Sequence, residues 1–367
     1  MNSPDSIDLN CLSAWQYNLP DDLIASRPAA QRDEARLMVV RRESSAIEHH
    51  AIRDLPDLLS PGDHLVFNNT KVLPARLFGF RTSTGGRWEG LFLNAQPDGL
   101  WKITGQTRGK LRAGESITIV PASAEPKPGE AAARDDNQLL LEMMERTNDG
   151  SWLVRPHRKE PPEQLLEEFG TLPLPPYIGR KVADDQDRER YQTTFAQQAG
   201  AIAAPTAGLH FTPELLNRCS QRGIHRSEVT LHVGIGTFRP VNTDRLSEHE
   251  MHSEWCSVSP DVAQQIQQSQ GQGGNVVAVG TTSVRTLEAH SASGQLQAGS
   301  TDTELFIRPG YRFQTVDQLL TNFHLPGSTL IVLVAALAGY DLTMEAYRTA
   351  VAERYRFYSY GDAMLIL

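Results

Sequence analysis

Three histidines stand in segments built for close approach to a ligand. His210 ends the small-residue run of AAPTAGLHF, Ala203 to Phe211. His232 precedes the Gly234-x-Gly236 turn of LHVGIGTFRP, and His324 lies in TNFHLP. Imidazole titrates near neutral pH, so these groups can accept and donate protons in a reaction. A lone histidine in a strand is also what a satisfied core residue looks like. Two such segments only 22 positions apart weigh towards a site.

Other segments supply binding groups. Asn68, Asn69 and Thr70, followed by Lys71 and Arg76, come directly after the apolar stretch Leu65–Phe67. Amides and a hydroxyl at a strand end can read a base edge or a ribose, and the cations can hold phosphate or carboxylate. An Asx turn between two domains is the other reading. In VVAVGTTSVRTLE, a β-branched strand reaches Gly280, and Thr281, Thr282 and Ser283 open a helix that carries Arg285. Free N–H groups at such a helix start attract a carboxylate or phosphate, whereas simple capping needs only one of the three hydroxyls. In YRFYSYGDAM, Tyr360 and Asp362 are candidates for stacking and hydrogen-bonding a base, against the alternative of a docked C-terminal core strand.

Several chemistries are excluded or weak. The Gly-x-Gly turn lacks the third glycine of a dinucleotide loop, because position 239 is Arg. Neither a P-loop nor a G-x-S-x-G elbow is present. His249, His252 and Cys256 have a zinc-like spacing, but no second Cys/His pair completes a structural site and HExxH is absent. The expectation is no metal.

These residues need elements to position them. The 367 residues, 40% apolar and 22% charged, suit about two globular domains. The longest apolar run, Leu330–Ala338, is nine residues, short of the ~20 needed to span a membrane. The N-terminus lacks a signal-peptide pattern, and three scattered cysteines suit reduced thiols. A cytoplasmic protein without a membrane association is expected. Residues 72–156 hold short apolar runs separated by turn chemistry, which predicts a small β-barrel or sandwich. Within it, 122–136 is rich in Pro, Ala, Glu and Lys and reads as a mobile loop. The flanking parts alternate strands and helices, with starts at Thr212-Pro213, Ser259-Pro260 and Ser328 and stops at Gly223, Gly271 and Gly339. That predicts an α/β main domain with a mixed, largely parallel sheet. The net charge is −9, yet residues 71–120 contain eight basic and three acidic side chains. A local basic face on an acidic protein suits a grip on one part of an RNA, or is a solvated charged face.

Taken together and in order, FNNTKVLPARL, LPLPPYIGR, APTAGLHFTPELL, TLHVGIGTFRPV, MHSE, AVGTTSVRTLE, TNFHLPGSTL and YRFYSYGDAM resemble the S-adenosylmethionine:tRNA ribosyltransferase-isomerase family of the queuosine pathway. The resemblance runs from about Tyr17 to Met364 and departs at 121–137 and after Met364. It implies a discontinuous α/β catalytic domain, 1–71 with 157–367, and an inserted β-barrel, 72–156. It implies transfer and isomerisation of the ribosyl group of S-adenosylmethionine onto 7-aminomethyl-7-deazaguanine at the wobble position of tRNA, giving epoxyqueuosine-tRNA, adenine and methionine. S-adenosylmethionine would be a co-substrate, with no tightly bound cofactor, and the protein a monomer. In that reading His210, His232 and His324 share the proton transfers. Thr281, Thr282, Ser283 and Arg285 hold the methionine carboxylate. Asn68, Asn69, Thr70 and Arg76 contact ribose or the modified base, with Tyr360 and Asp362 as further base contacts. Lys71, Arg81, Lys102, Arg108, Lys110, Arg155, Arg158 and Lys159 meet tRNA phosphate. The competing classes are an S-adenosylmethionine-dependent RNA methyltransferase, a non-catalytic RNA-binding protein and a zinc hydrolase.

Overall fold

The computed structural model describes residues 7–121, 138–180, 182–234, 236 and 241–367; the stretch 122–136 and Arg239 lie outside them. The chain begins with β1 (Arg36–Arg41), β2 (Ala46–Ala51), α1 (Leu55–Leu58), β3 (His64–Asn68) and β4 (Thr70–Val72). It continues through β5 (Arg76–Arg81), β6 (Arg87–Ala95), β7 (Trp101–Thr107), β8 (Ser116–Val120), β9 (Leu139–Arg146), β10 (Trp152–Pro156), α2 (Pro162–Phe169) and β11 (Gly170–Thr171). Then come α3 (Asp185–Arg190), β12 (Gln198–Ala201), α4 (Pro213–Gln221), β13 (His225–Leu231), β14 (Glu254–Val258), α5 (Pro260–Gly271) and β15 (Val276–Val279). The last elements are α6 (Thr281–Ala289), β16 (Gly299–Thr303), β17 (Gln318–Asn322), α7 (Thr329–Ala338), α8 (Tyr340–Ala352) and β18 (Ala363–Ile366).

Nine strands form the main sheet in the order β16-β14-β13-β3-β15-β17-β18-β1-β2. Its centre, β13-β3-β15-β17, is parallel, while β14, β16 and β2 add antiparallel edges and β18 runs against β17. The period-2 rule for strands explains the two cores. Val66, Val276, Ala278, Leu319, Met364 and Met38 point into the core beneath α5–α8. Their chain neighbours Leu65, Phe67, Val277, Leu320, Leu365 and Leu37 point into the opposite core with α1 and α4. Strands apolar on both faces must be covered on both, so β3, β15 and β18 are buried along their whole length.

Helix starts follow the side-chain caps. Thr212, Ser259 and Ser328 accept from the backbone of Leu215, Val262 and Ile331. Helix α6 differs, because Gly280, at φ 88°, is its N-cap and no hydroxyl caps it. Among the described residues, no single helix is long and apolar enough to cross a membrane.

Strands β5-β6-β7-β10-β9-β8 close on themselves through a β5–β8 pairing, making a six-stranded antiparallel barrel with β11 added beside β5. Ile103, Ile119, Leu141, Met143 and Val154 fill it, and Leu165, Leu166 and Phe169 of α2 pack into the same core. Gly90 and Gly105 let the Trp88 indole lie across the strands, since a Cβ at either would collide with the ring.

Beneath the main sheet, His64 is buried between the hydroxyls of Ser269 and Ser227, both 2.8 Å away. Burial lowers its pKa from 6.5 to about 4. The folded protein therefore keeps His64 neutral where the unfolded chain takes up a proton. Its contribution is fully present above pH 6.5 and drains away as the pH falls from 6.5 towards about 4. Melting temperature should fall over that interval, with a shallower fall in His64→Gln. A wild-type melting temperature that stays level would contradict this.

Candidate functional site

The parallel strands end side by side, and the chemistry-bearing segments begin where they end. Asn69 and Thr70 follow β3, His232 and Val233 follow β13, Gly280 and Thr281 follow β15, and Phe323 and His324 follow β17. Ligands of open α/β sheets bind outside these carboxyl ends. A cleft of about 620 Å3 lies there, walled by Ala203–Ala207, Gly280–Thr282 and Thr321–His324. A second, of about 1100 Å3, is walled by His249, His252, Glu254, Arg285 and Leu325–Leu330. They meet at Leu330 and Tyr358.

His324 lines the first cleft, and its Nε2 is 2.9 Å from the Thr321 hydroxyl. The Tyr17 hydroxyl donates to its carbonyl, and its backbone N–H donates to Tyr347. Burial drives its pKa down to about 3, so the ring is neutral at pH 7. His210 lies on the other side of Asn322, whose Nδ2 donates to His210 Nε2 at 3.2 Å. Thr206 orients that amide by donating to its Oδ1. The accepting Nε2 leaves the His210 proton on Nδ1, and burial outweighs the pull of Asp362 to hold the pKa at about 4. His232 stands apart from this pair. Its Nδ1 is 2.9 Å from Thr70 Oγ1, its ring stacks at 5.0 Å on Trp255, and Gly200 lies so close that a Cβ there would strike it. Burial lowers its pKa as well.

The amides after β3 serve the fold. Asn68 Oδ1 accepts from the backbone of Thr70 and Leu231, and its Nδ2 donates to the Leu231 carbonyl. Asn69 accepts from Thr230 and donates to Glu228. Thr70 is fully buried between Gln198 and His232. Together they pin β3 to β13 and aim His232. Arg76 pairs with Glu89 on the barrel.

At α6, Ser283 turns back onto the Val279 carbonyl. Thr281 and Thr282 face the first cleft, and the buried Thr282 hydroxyl has no hydrogen-bond partner. With no side-chain cap, the first N–H groups of α6 are left for an anion. Arg285 lines the second cleft but is already engaged. It pairs with buried Glu254 and donates to the Leu305 and Thr303 carbonyls. Glu254 in turn accepts from the Gly234 N–H at 2.8 Å, which anchors the chain at Gly234.

Tyr360 and Asp362 lie behind the clefts. Tyr360 donates to buried Asp187, and Asp362 accepts from the backbone of Arg36 and Arg356. Burial and Asp187 raise the Tyr360 pKa. The residues of that segment that reach the cleft are Tyr358 and Ser359. Tyr358 holds φ at 75°, a conformation costly for a non-glycine residue. Asn322, the hydrogen-bond partner of His210, also lines the cleft and belongs to the motif TNFHLP, though its amide carries no signal in the sequence that sets it apart.

Among the described residues, no three His, Cys, Asp or Glu side chains gather as metal ligands. His249 packs edge-on against Phe306 at 5.7 Å, and Cys256 is fully buried in β14.

A family model described as queuosine biosynthesis protein matches residues 12–366. The chain belongs to the queuosine biosynthesis protein family. A protein of Symbiobacterium thermophilum, named S-adenosylmethionine:tRNA ribosyltransferase-isomerase, is 49% identical over 97% of this chain and 99% of its own length. One of the same name from Desulfitobacterium hafniense is 45% identical over the same shares. The crystal structure of an S-adenosylmethionine tRNA ribosyltransferase from Thermotoga maritima superposes with a TM-score of 0.54 at 35% identity, over 96% of this chain and all of that one.

In this family member, pairing divides the barrel-side cations. Arg81 pairs with Glu115, Lys102 with Asp149, Arg155 with Glu142, and Arg158 with Glu160 and Glu168. Lys71, Arg108, Lys110 and Lys159 are exposed and pair with no carboxylate among the described residues.

Proposed function

We propose that this chain is an S-adenosylmethionine:tRNA ribosyltransferase-isomerase. It transfers and isomerises the ribosyl moiety of S-adenosylmethionine onto 7-aminomethyl-7-deazaguanine at the wobble position of tRNA. The products are epoxyqueuosine-tRNA, adenine and methionine. The observation that carries this reading is the near full-length identity to proteins of that name. The convergence of three motif-bearing strand ends, those of β13, β15 and β17, on one cleft supports it from the geometry.

The neutral His324 imidazole suits a site for a sulfonium cation, because it adds no charge to repel one and can accept a proton from the carbon the sulfonium acidifies. Asn322 lines the cleft and donates to His210 Nε2, so that His210, behind the amide, and His324, in the cleft, share the transfers that adenine loss and amine attack require. The α6 N-terminus with Thr281 and Thr282 is the carboxylate seat. Arg285 acts through Glu254 as the brace of the second cleft. His232, aimed by Thr70, completes the histidine set. S-adenosylmethionine is a co-substrate in this reading, and the enzyme works as a cytoplasmic monomer.

The inserted barrel, residues 72–156, is the proposed tRNA-facing part, with the uncommitted cations Arg108 and Lys110 on it and Lys71 and Lys159 flanking it. Affinity for tRNA should fall steeply with salt, since each phosphate contact releases counterion. Charge-neutral variants of these four should lower the log–log slope by about one per lost contact. A slope unchanged in the quadruple variant would remove this face from the interface. The reaction itself is tested by adenine release. Free adenine should accumulate only when both S-adenosylmethionine and tRNA bearing the aminomethyl base are present. Release without that base, or none with it, would sink the assignment.

A further inference from the structure

We propose that Arg32, Arg190 and Arg356 form an oxyanion pocket that takes a backbone phosphate of the tRNA next to the base being modified; this rests on the tRNA-modifying activity proposed above. The pocket is a small surface cleft, formed by the three arginines with His210, Pro28 and Ser359. Ser359 also lines the first cleft, so the two spaces are one residue apart.

What makes it a built site is how the cations are held. Arg32 donates to the carbonyls of Leu209 and Glu189, at 2.9 and 3.1 Å. Arg190 donates to the carbonyls of Ala30 and Ala29, at 3.1 and 2.9 Å. Among the described residues, neither makes an ion pair with a carboxylate, and Arg190 Nε is buried without any partner. Arg356 pairs with Asp362 at 3.2 Å. The exposed Glu189 lies near Arg32, yet Arg32 holds its carbonyl and not its carboxylate.

Neutral carbonyls orient a guanidinium without cancelling its charge. Three arginines against buried Asp362 and the exposed Glu189 leave the cavity net positive. Partly burying like charges together is unfavourable unless a counter-ion arrives, and burial with the neighbouring Arg190 already depresses the Arg32 pKa. A guanidinium fork matches the oxygens of a phosphate.

The oxyanion could be the donor's carboxylate or a tRNA phosphate, and the placement favours the phosphate. The first cleft already offers a carboxylate seat at the uncapped start of α6. The arginine pocket lies past Ser359, on the His210 side. A base that is modified inside a cleft must leave its stack, and this draws its flanking phosphates to the rim.

The test uses the full chain as Arg32→Gln and Arg190→Gln, with tRNA carrying the aminomethyl base. Each variant should bind that tRNA about tenfold more weakly at low salt, with the log–log salt slope reduced by about one. KM for S-adenosylmethionine should stay within about twofold. Unchanged tRNA affinity and slope would overturn the proposal. So would a raised KM for S-adenosylmethionine with tRNA binding intact, which would make the pocket a carboxylate seat. The two arginines also tie down backbone, so a second measurement on the wild type guards against variants that do not fold. Inorganic phosphate should raise its melting temperature and weaken tRNA binding more than chloride of equal ionic strength. Equal effects of the two salts would overturn the proposal. The tRNA-affinity, salt-slope and phosphate measurements need no turnover. A failure to transfer ribose would therefore count against the function alone, and leave the pocket to be decided by binding.

Discussion

Alanine in place of His324 is expected to lower kcat by about 10²–10⁴-fold, the usual worth of a positioned proton-transfer group. The ring faces the first cleft, its Nε2 is held by Thr321, and its Nδ1 makes no hydrogen bond among the described residues. The flanking backbone is secured separately, by Tyr17 at the carbonyl and Tyr347 at the N–H. The fold should therefore survive the truncation, and circular dichroism together with tRNA affinity should stay near wild type. His210→Ala should also abolish turnover. Because Asn322 would lose its acceptor there, Asn322→Ala should cost less than His210→Ala if the amide only positions the ring. A His324→Ala enzyme with kcat within about threefold of wild type would remove that residue from the chemistry.

The second large effect is on stability. Arg285 and Glu254 are an ion pair with side chains only 9% and 5% exposed. Removing one partner leaves an uncompensated buried charge, at a cost of about 3–5 kcal/mol. Arg285→Met should therefore lower the unfolding free energy by about that much in denaturant titration. It should also release Glu254 from the geometry in which it holds the Gly234 N–H. The double variant Arg285→Met with Glu254→Gln should recover part of the loss, since no charge then stays buried alone. A loss below about 1 kcal/mol for the single variant would mean that water reaches the pair. This prediction separates two roles for Arg285. A brace gives a large stability loss, whereas a residue held free for the carboxylate would change KM and leave stability alone.

The architecture was legible because its signals are local. Unbroken apolar runs along Leu37–Val40 and Val276–Val279, proline after Thr212 and Ser259, and glycine at 223 and 339 each act within a few residues. The segments that end at the cleft were legible for the same reason, since each strand is contiguous with the turn that carries its polar groups. What each side chain does there depended on partners far along the chain. Asn68 meets Leu231, Arg285 meets Glu254 and Asp362 meets Arg36, and no window along the sequence contains both members. The basic stretch 71–120 shows the same limit. Asp149 comes from beyond it, in the turn between β9 and β10, to neutralise Lys102. In YRFYSYGDAM the segment that reaches the cleft was visible, but not which of its residues line it. The backbone turn at Tyr358, with its positive φ, carries Tyr358 and Ser359 to the cleft and sends Tyr360 and Asp362 behind it.

The central claim is that the sugar, and not the methyl group, leaves S-adenosylmethionine for the tRNA. Purified protein with tRNA carrying the aminomethyl-deazaguanine base should be given S-adenosylmethionine labelled separately in its ribose and its methyl group. Ribose label in the tRNA, with free adenine and methionine in equal amount, is the predicted result. Methyl label in the tRNA, or neither label, would contradict it.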